Sequence, residues 1–286
     1  ILHNRSIFFS NDDEVKHFLE KRSIENSKKH QQPATLNVKS NLDKLPLNNM
    51  QVFRFNFRHE KNQKILYLHG GYNTLQPSPF HWRLLDKLTL NTLHEVVLPI
   101  YPKSPDYHYL ETFKAIRDVY NQLVEEVGAS NIVMMGDGSG GGLALSFVQS
   151  LINDNQEVPR KLFLLSPLLD ATLTNPNITK TLEENDILVS RFGVHQLMKS
   201  WTNDLPLSDA RISPLYGTLK GLPPIYMYGG GREILSPDMH AFTHALEECG
   251  NDVEFKEYPK MVHDFPIYPI RQSHKVLKHI TKSILE

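Results

Sequence analysis

A single cysteine, Cys249, stands in a chain of 286 residues. That rules out a disulfide framework and leaves too few thiolates for a zinc–cysteine site. No apolar run approaches the ~20 residues of a membrane-spanning helix, so stable membrane insertion is not expected. The net charge is only -1, and the two signs are interspersed. Neither nucleic acid nor an anionic membrane is therefore an expected partner. The chain has no internal repeat and no low-complexity segment. His240 and His244 stand four apart on a predicted helix, but no third ligand or His-Glu-x-x-His motif accompanies them, so no metal site is expected. Lys28-Lys29-His30 ends another predicted helix and reads as a solvated face. A cytoplasmic location is permitted by the lone cysteine and the lack of an apolar leader. The chain starts at Ile1, so a removed segment ahead of it is left open.

What remains is an ordinary globular composition, 40% apolar and 22% charged, with length enough for a sizeable core. Short apolar runs alternate with helical periods. Residues 11–30 read as a helix capped by Asn11 or Asp12, with Val15, Phe18, Leu19 and Ile24 as its stripe. Residues 31–50, with Pro33 and Pro46, read as a loop. Strands are expected at 51–57, 64–68, 94–100, 132–135, 161–165, 224–228 and 253–258, the last as an edge strand. Helices are expected at 79–90, 109–127, from 143 onward, 194–201, 238–247 and 274–285. In the 109–127 helix the stripe is Leu110, Phe113, Ile116, Tyr120, Leu123 and Val127, ended by Gly128. This alternation specifies an α/β fold with a mostly parallel sheet. Ligands of such sheets bind beyond the C-terminal strand ends. The informative residues are then those at 69–71, 136–142, 166–167, 231–233 and around 263.

The densest of these ends is Gly136-Asp137-Gly138-Ser139-Gly140-Gly141-Gly142. A strand stops there, turns sharply and starts a helix. Two machines use that geometry. Gly136, Gly138 and Gly141 have the G-x-G-x-x-G spacing of a dinucleotide cradle. However, several β/α elements come before the turn, and the next strand ends in Leu165-Ser166-Pro167 instead of the acidic residue that would hold a ribose. No lysine follows the glycines, which excludes a P-loop. The second machine is the nucleophile elbow of serine hydrolases. His69-Gly70-Gly71 follows an earlier strand and can offer backbone N–H groups to an oxyanion. His263 lies after the last strand, where an imidazole can act as general base. Glu233 lies thirty residues before it, where a carboxylate can orient that imidazole. The order nucleophile, acid, histidine suits this second machine.

With those residues in place, the chain resembles the hormone-sensitive-lipase-like family of α/β-hydrolase esterases. The resemblance rests on His69-Gly-Gly71, the 136–141 elbow, Glu233 and His263. Leu165-Ser-Pro167, Leu169-Asp170, Ile212-Ser-Pro-Leu-Tyr216 and Gly221-Leu-Pro-Pro224 strengthen it. It runs from about residue 50 to the end. It implies one α/β-hydrolase domain over 1–286, a helical cap drawn from about 1–50 and 171–215, and no metal or organic cofactor. It also implies a small ester as substrate, with a homodimer possible. By the same resemblance, His69, Gly70, Gly71 and the Ser139 N–H shape the oxyanion hole. His263 is the base and Glu233 its orienter, with Asp238 as a fallback acid.

One departure is chemical. Aligned on its flanks, the elbow has Gly138 where the family has its nucleophilic serine, and Ser139 where alanine is usual. Ser139 is the alternative nucleophile, but one step along a helix turns its side chain by ~100° away from the histidine. The elbow residue sits at positive φ, which glycine adopts with little strain. Residue 138, not 139, is therefore expected to show positive φ and to face His263. The reading is a carboxylic ester hydrolase lacking its attacking hydroxyl. The alternative is a non-catalytic protein binding a small acyl or hydrophobic ligand on the same scaffold.

Overall fold

Three apolar runs, Lys64–Leu68 (β3), Glu95–Pro99 (β4) and Ile132–Asp137 (β5), lack polar alternation because both of their faces are covered. In the computed structural model, which describes residues 8–56 and 63–286, they lie side by side with Val52–Asn56 (β2), Lys161–Leu165 (β6), Ile225–Gly230 (β7) and Val253–Tyr258 (β8). An eighth strand, Asn41–Lys44 (β1), completes the sheet. The order is β1-β2-β4-β3-β5-β6-β7-β8. β1 and β2 enter antiparallel, and every pair from β3–β4 to β7–β8 is parallel.

Neighbouring residues of each strand serve opposite layers. Leu66 and Leu68 of β3 join a core with Ile116, Tyr120 and Leu123 of Tyr109–Val127 (α3), Phe147 and Leu151 of Gly138–Asn153 (α4), and Phe242 and Leu246 of Ser236–Glu248 (α7). Ile65 and Tyr67 join the other core, with Trp82, Leu85 and Leu88 of Pro79–Thr92 (α2) and Val276, Ile280 and Ile284 of Arg271–Leu285 (α8). The result is a doubly covered sheet with β5 near its centre, so the 136–142 turn emerges in the middle of the strand-end edge.

Asp12–Asn26 (α1) opens the described chain, and Asn11 Oδ1 accepts the Glu14 N–H at 3.0 Å as its cap. Lys180–Asn185 (α5) and Arg191–Thr202 (α6) occupy the stretch between β6 and β7, and α6 packs against α1. Val194, Leu197, Met198 and Trp201 of α6 join the first core. Among the described residues no helix is long and apolar enough to cross a membrane.

Three expectations need correction. β1 lies within the expected 31–50 loop. Its residues Asn-Leu-Asp-Lys show no buried face, and it is held by backbone pairing to β2. Ile24 of α1 is 62% exposed and Leu110 of α3 is 55% exposed, so neither belongs to its helix's buried stripe. Each lies near a helix end, where the packed face gives out. His30 is not part of a solvated patch: its Nε2 accepts from the Trp82 indole N–H at 3.1 Å, and burial pushes its pKa down to about 4. Phe57 and residues 58–62 of the turn expected at 58–63 lie outside the described residues, as does the start of the expected cap, residues 1–7.

Candidate active site

The elbow forms because β5 runs directly into α4 with no loop between them. Gly138, the first helical residue, has φ +50. That left-handed backbone costs a residue with a Cβ about 1–2 kcal/mol. A Cβ built on Gly138 would lie 3.4 Å from His263 Nε2 and 3.1 Å from Asp264 Oδ2. Any side chain at 138 therefore points at the imidazole. Ser139 does not. Its Oγ accepts the Asn73 N–H at 3.2 Å, on the far side of the turn. There it borders a cavity of about 10 Å³ shared with Leu168, Met198, Trp201 and Arg211.

His263 follows β8, and Glu233 follows β7. The two meet with His263 Nδ1 and Glu233 Oε2 2.7 Å apart, and Glu233 is fully buried. The other Glu233 oxygen, Oε1, accepts from the Gly230 N–H at 2.5 Å and from Ser166 Oγ at 2.8 Å. Ser166 Oγ accepts in turn from the Asp264 N–H at 3.1 Å. Asp186, reaching across from the end of α5, accepts the Ile234 N–H at 2.9 Å and so fixes the residue after Glu233. Asp238 faces elsewhere. Its Oδ1 accepts from Asn175 Nδ2 at 2.8 Å, and burial raises its pKa to about 6.

On its open side His263 Nε2 lies 3.1 Å from Asp264 Oδ2. Asp264 sits at φ +52, which turns its carboxylate back over the ring. With a carboxylate on each nitrogen, the imidazole holds both protons. Burial disfavours its charge, but Asp264 and Glu233 outweigh burial and keep its pKa well above the ordinary value. Burial is also the main reason Asp264 titrates high, at about 6, although His263 draws it down and Asp137 pushes it further up.

Beneath the elbow lies a second polar cluster. Asp137 Oδ1 accepts from Tyr67 Oη at 2.7 Å and from the Gly70 N–H at 3.0 Å, and Oδ2 meets His81 Nε2 at 3.0 Å. His81 Nδ1 accepts the Ser78 N–H at 2.9 Å, so its proton toward Asp137 is on Nε2. Burial works against the Asp137 charge, yet His81, Tyr67 and the Gly70 N–H hold it below the usual carboxylate range. The approach is tight: a Cβ on Gly70 would fall 2.4 Å from Asp137 Oδ2.

The residues expected at an oxyanion hole divide into two kinds. The Gly70 N–H is already given to Asp137. His69 is a buried support: its Nδ1 is 2.7 Å from the Gly70 carbonyl oxygen, and its ring stacks on Tyr101 at 4.6 Å. Gly71 opens a run of positive φ (Gly71 +115, Tyr72 +57, Asn73 +51) that curls the loop beside the elbow. No acceptor among the described residues takes the Gly71 N–H. The Ser139 N–H lies in the first turn of α4, where helical N–H groups have no intrahelical acceptor. His263, Glu233, position 138, Gly71 and the Ser139 N–H thus gather at one edge of the sheet. Ser166, Asp186 and Asp264 also belong to this arrangement. Ser166, at a strand end, and Asp264, beside His263, stood at positions the sequence pointed to; Asp186 did not.

A doubly covered parallel sheet with a glycine elbow at its centre and a carboxylate–imidazole pair on the two following strand ends defines the α/β-hydrolase class. A family model described as the alpha/beta hydrolase fold matches residues 65–267. An esterase of Acinetobacter venetianus is 34% identical over 208 residues, covering 72% of this chain and 68% of that protein. A triacylglycerol lipase of Mycobacterium tuberculosis is 30% identical over 217 residues, 76% of this chain but 45% of its own length. The crystal structure of a candidate esterase from Staphylococcus aureus superposes with a TM-score of 0.98 at 64% identity, covering 100% of this chain and 97% of that one. The chain belongs to the α/β-hydrolase fold family, among its hormone-sensitive-lipase-like esterases and lipases.

Proposed function

We propose that this chain carries the site of a carboxylic ester hydrolase acting on small esters, with position 138 as the point of attack and glycine in place of the attacking serine. The observation that carries this reading is the line Glu233–His263–138: 2.7 Å from carboxylate to Nδ1, and 3.4 Å from Nε2 to a Cβ at 138. A serine there would bring its hydroxyl to Nε2. With the serine hydroxyl in place of Asp264 at Nε2 and that nitrogen unprotonated, its Oγ would bond to the ester carbonyl carbon as His263 took its proton. His263 would then return the proton to the departing alcohol, and water would release the acid by the same two steps. Glu233 would stabilise the imidazolium. The Gly71 and Ser139 N–H groups would meet the oxyanion. The Ser139 side chain, turned toward Asn73, has no part in attack under this reading. Residues from α1 and from 171–215, which includes α5 and α6, would form the cap.

The esterase and lipase relatives support hydrolysis as the ancestral chemistry. The test is an aryl acetate assay of the chain and of Gly138→Ser. Gain of turnover in Gly138→Ser supports the reading, and no gain in a folded variant overturns it. A second reading has its own observation. With Asp264 on Nε2, His263 is held as an ion pair on both sides, which suits a protein that binds a ligand without turning it over. Ligand retained through purification, with no turnover in any variant, would favour that reading.

A further inference from the structure

Lys103 is a buried cation that the candidate active site does not use. It follows β4 and is 3% exposed. Its Nζ is 3.0 Å from Gln76 Oε1 and 3.3 Å from His69 Nε2, and it lies 4.8 Å from the centre of the Tyr101 ring. All three partners are neutral. His69 donates from Nδ1 to the Gly70 carbonyl, so its Nε2 is the acceptor for the lysine. No carboxylate among the described residues comes within ion-pairing distance of Nζ. An ammonium buried without a counter-ion is costly, and burial pushes the Lys103 amine down to about 7.

Lys103 also lines a cavity of about 640 Å³. Gln76 and Tyr101 line it with Lys103, and Leu47, Met50 and Ile100 supply apolar surface. Each of the acids at this cavity already accepts a hydrogen bond. Asp106 accepts from Ser23 Oγ at 2.6 Å, Glu111 from the His108 N–H at 3.0 Å, and Asp118 from Asn48 Nδ2 at 2.8 Å. Neither Gly138, Glu233 nor His263 borders the space. We propose that this cavity is a second binding site, taking a monocarboxylate with a short apolar tail: the carboxylate pairs with Lys103 Nζ and the tail lies against Leu47, Met50 and Ile100. The anion supplies the missing counter-charge, and Leu47, Met50 and Ile100 favour a tailed acid over bare inorganic anions, in a lining that also carries Lys28, Lys29 and Lys114. The site does not depend on whether the chain hydrolyses esters.

Calorimetric titration of hexanoate, acetate and 1-hexanol into the full chain tests this, alongside Lys103→Met, Ala115→Trp and His263→Ala. Ala115 borders the cavity, so tryptophan there takes up the space while the cation itself is kept. Hexanoate is expected to bind the unmodified chain and His263→Ala equally. It should bind Lys103→Met about tenfold or more weakly, the worth of a charge-assisted hydrogen bond, and Ala115→Trp likewise. Acetate and 1-hexanol should each bind more weakly than hexanoate, one lacking the tail and the other the charge. Equal hexanoate affinity in Lys103→Met overturns the proposal. So does binding that is lost in His263→Ala but kept in Lys103→Met, which would place the ligand at the elbow. Acetate binding as tightly as hexanoate would overturn the apolar-tail assignment.

Discussion

Gly138 and His263 face each other across the strand-end edge of the sheet, with 3.4 Å between a Cβ built at 138 and the imidazole Nε2. A hydroxyl added at this position needs no backbone change to reach the base, because φ +50 is already the elbow conformation. Gly138→Ser is therefore expected to raise hydrolysis of 4-nitrophenyl acetate at least 100-fold over the parent, and His263→Ala in that background to lower it by about 10²–10⁴, the usual worth of a general base. The same serine should cost about 1 kcal/mol in stability, because it forgoes glycine's freedom at positive φ. A urea titration measures that cost. Activity in Gly138→Ser that survives His263→Ala would sink the assignment of the base.

Asp264 sets a second expectation. Its Oδ2 is 3.1 Å from His263 Nε2 and also 3.1 Å from the 138 Cβ, so it competes with an introduced serine for the same nitrogen. In a Gly138→Ser background, Asp264→Gly should increase kcat/KM several-fold, and glycine accepts the φ of +52 without strain. In the parent the same change should yield no turnover under the proposal that attack comes from position 138. Loss of kcat/KM in the double variant would show instead that Asp264 assists the imidazole.

Much of this was legible in the sequence, for physical reasons that differ by residue. β3 and β6 were plain because doubly buried strands are continuous apolar runs of strand length. The elbow was plain because only a chain under close approach from its neighbours accumulates five glycines in seven residues. Glu233 and His263 were found by their places after strands, not by local pattern. β1 was not visible, since a polar four-residue strand is specified by its partner's backbone. Nor was the Gly70 N–H bond to Asp137, which joins two turns 67 residues apart. The burial of Lys103 was hidden for the same reason: no local pattern signals that a lysine in a proline-rich loop will be folded under His69.

Ser166 offers a test of how the pair is held. Its hydroxyl donates to Glu233 Oε1 at 2.8 Å and accepts the Asp264 N–H at 3.1 Å, tying the acid to the histidine loop. Ser166 itself sits at φ +43. Ser166→Ala leaves a buried N–H and a carboxylate oxygen each one partner short, and should destabilise by roughly 1–3 kcal/mol. In the Gly138→Ser background it should lower kcat about tenfold with KM nearly unchanged, since the acid's orientation and not substrate contact is disturbed. Ser166→Thr is strained by β-branching at that φ and should not rescue fully. An unchanged kcat in Ser166→Ala would remove the positioning role.

Asp238 tests the proposed choice of Glu233 as the acid, through stability as well as activity. It is buried, bonded on one oxygen to Asn175 and without a described partner on the other. Burial lifts its pKa from 3.8 to about 6. A raised carboxylate pKa means that the folded state binds the proton more tightly than the unfolded chain. The favourable contribution is thus complete below about pH 4 and is lost as pH rises through 6. Asp238→Asn, which removes the charge and keeps the oxygen facing Asn175, should be more stable than the parent by roughly 1–3 kcal/mol at pH 8, with that gain vanishing near pH 4. Chemical denaturation at the two pH values measures it. In the Gly138→Ser background Asp238→Asn should leave ester turnover within about twofold, whereas Glu233→Gln should lower it by a factor on the order of 10²–10⁴, as expected when the group orienting the base is lost. A gain in stability that persists at pH 4 would show that the carboxylate charge is not the cause.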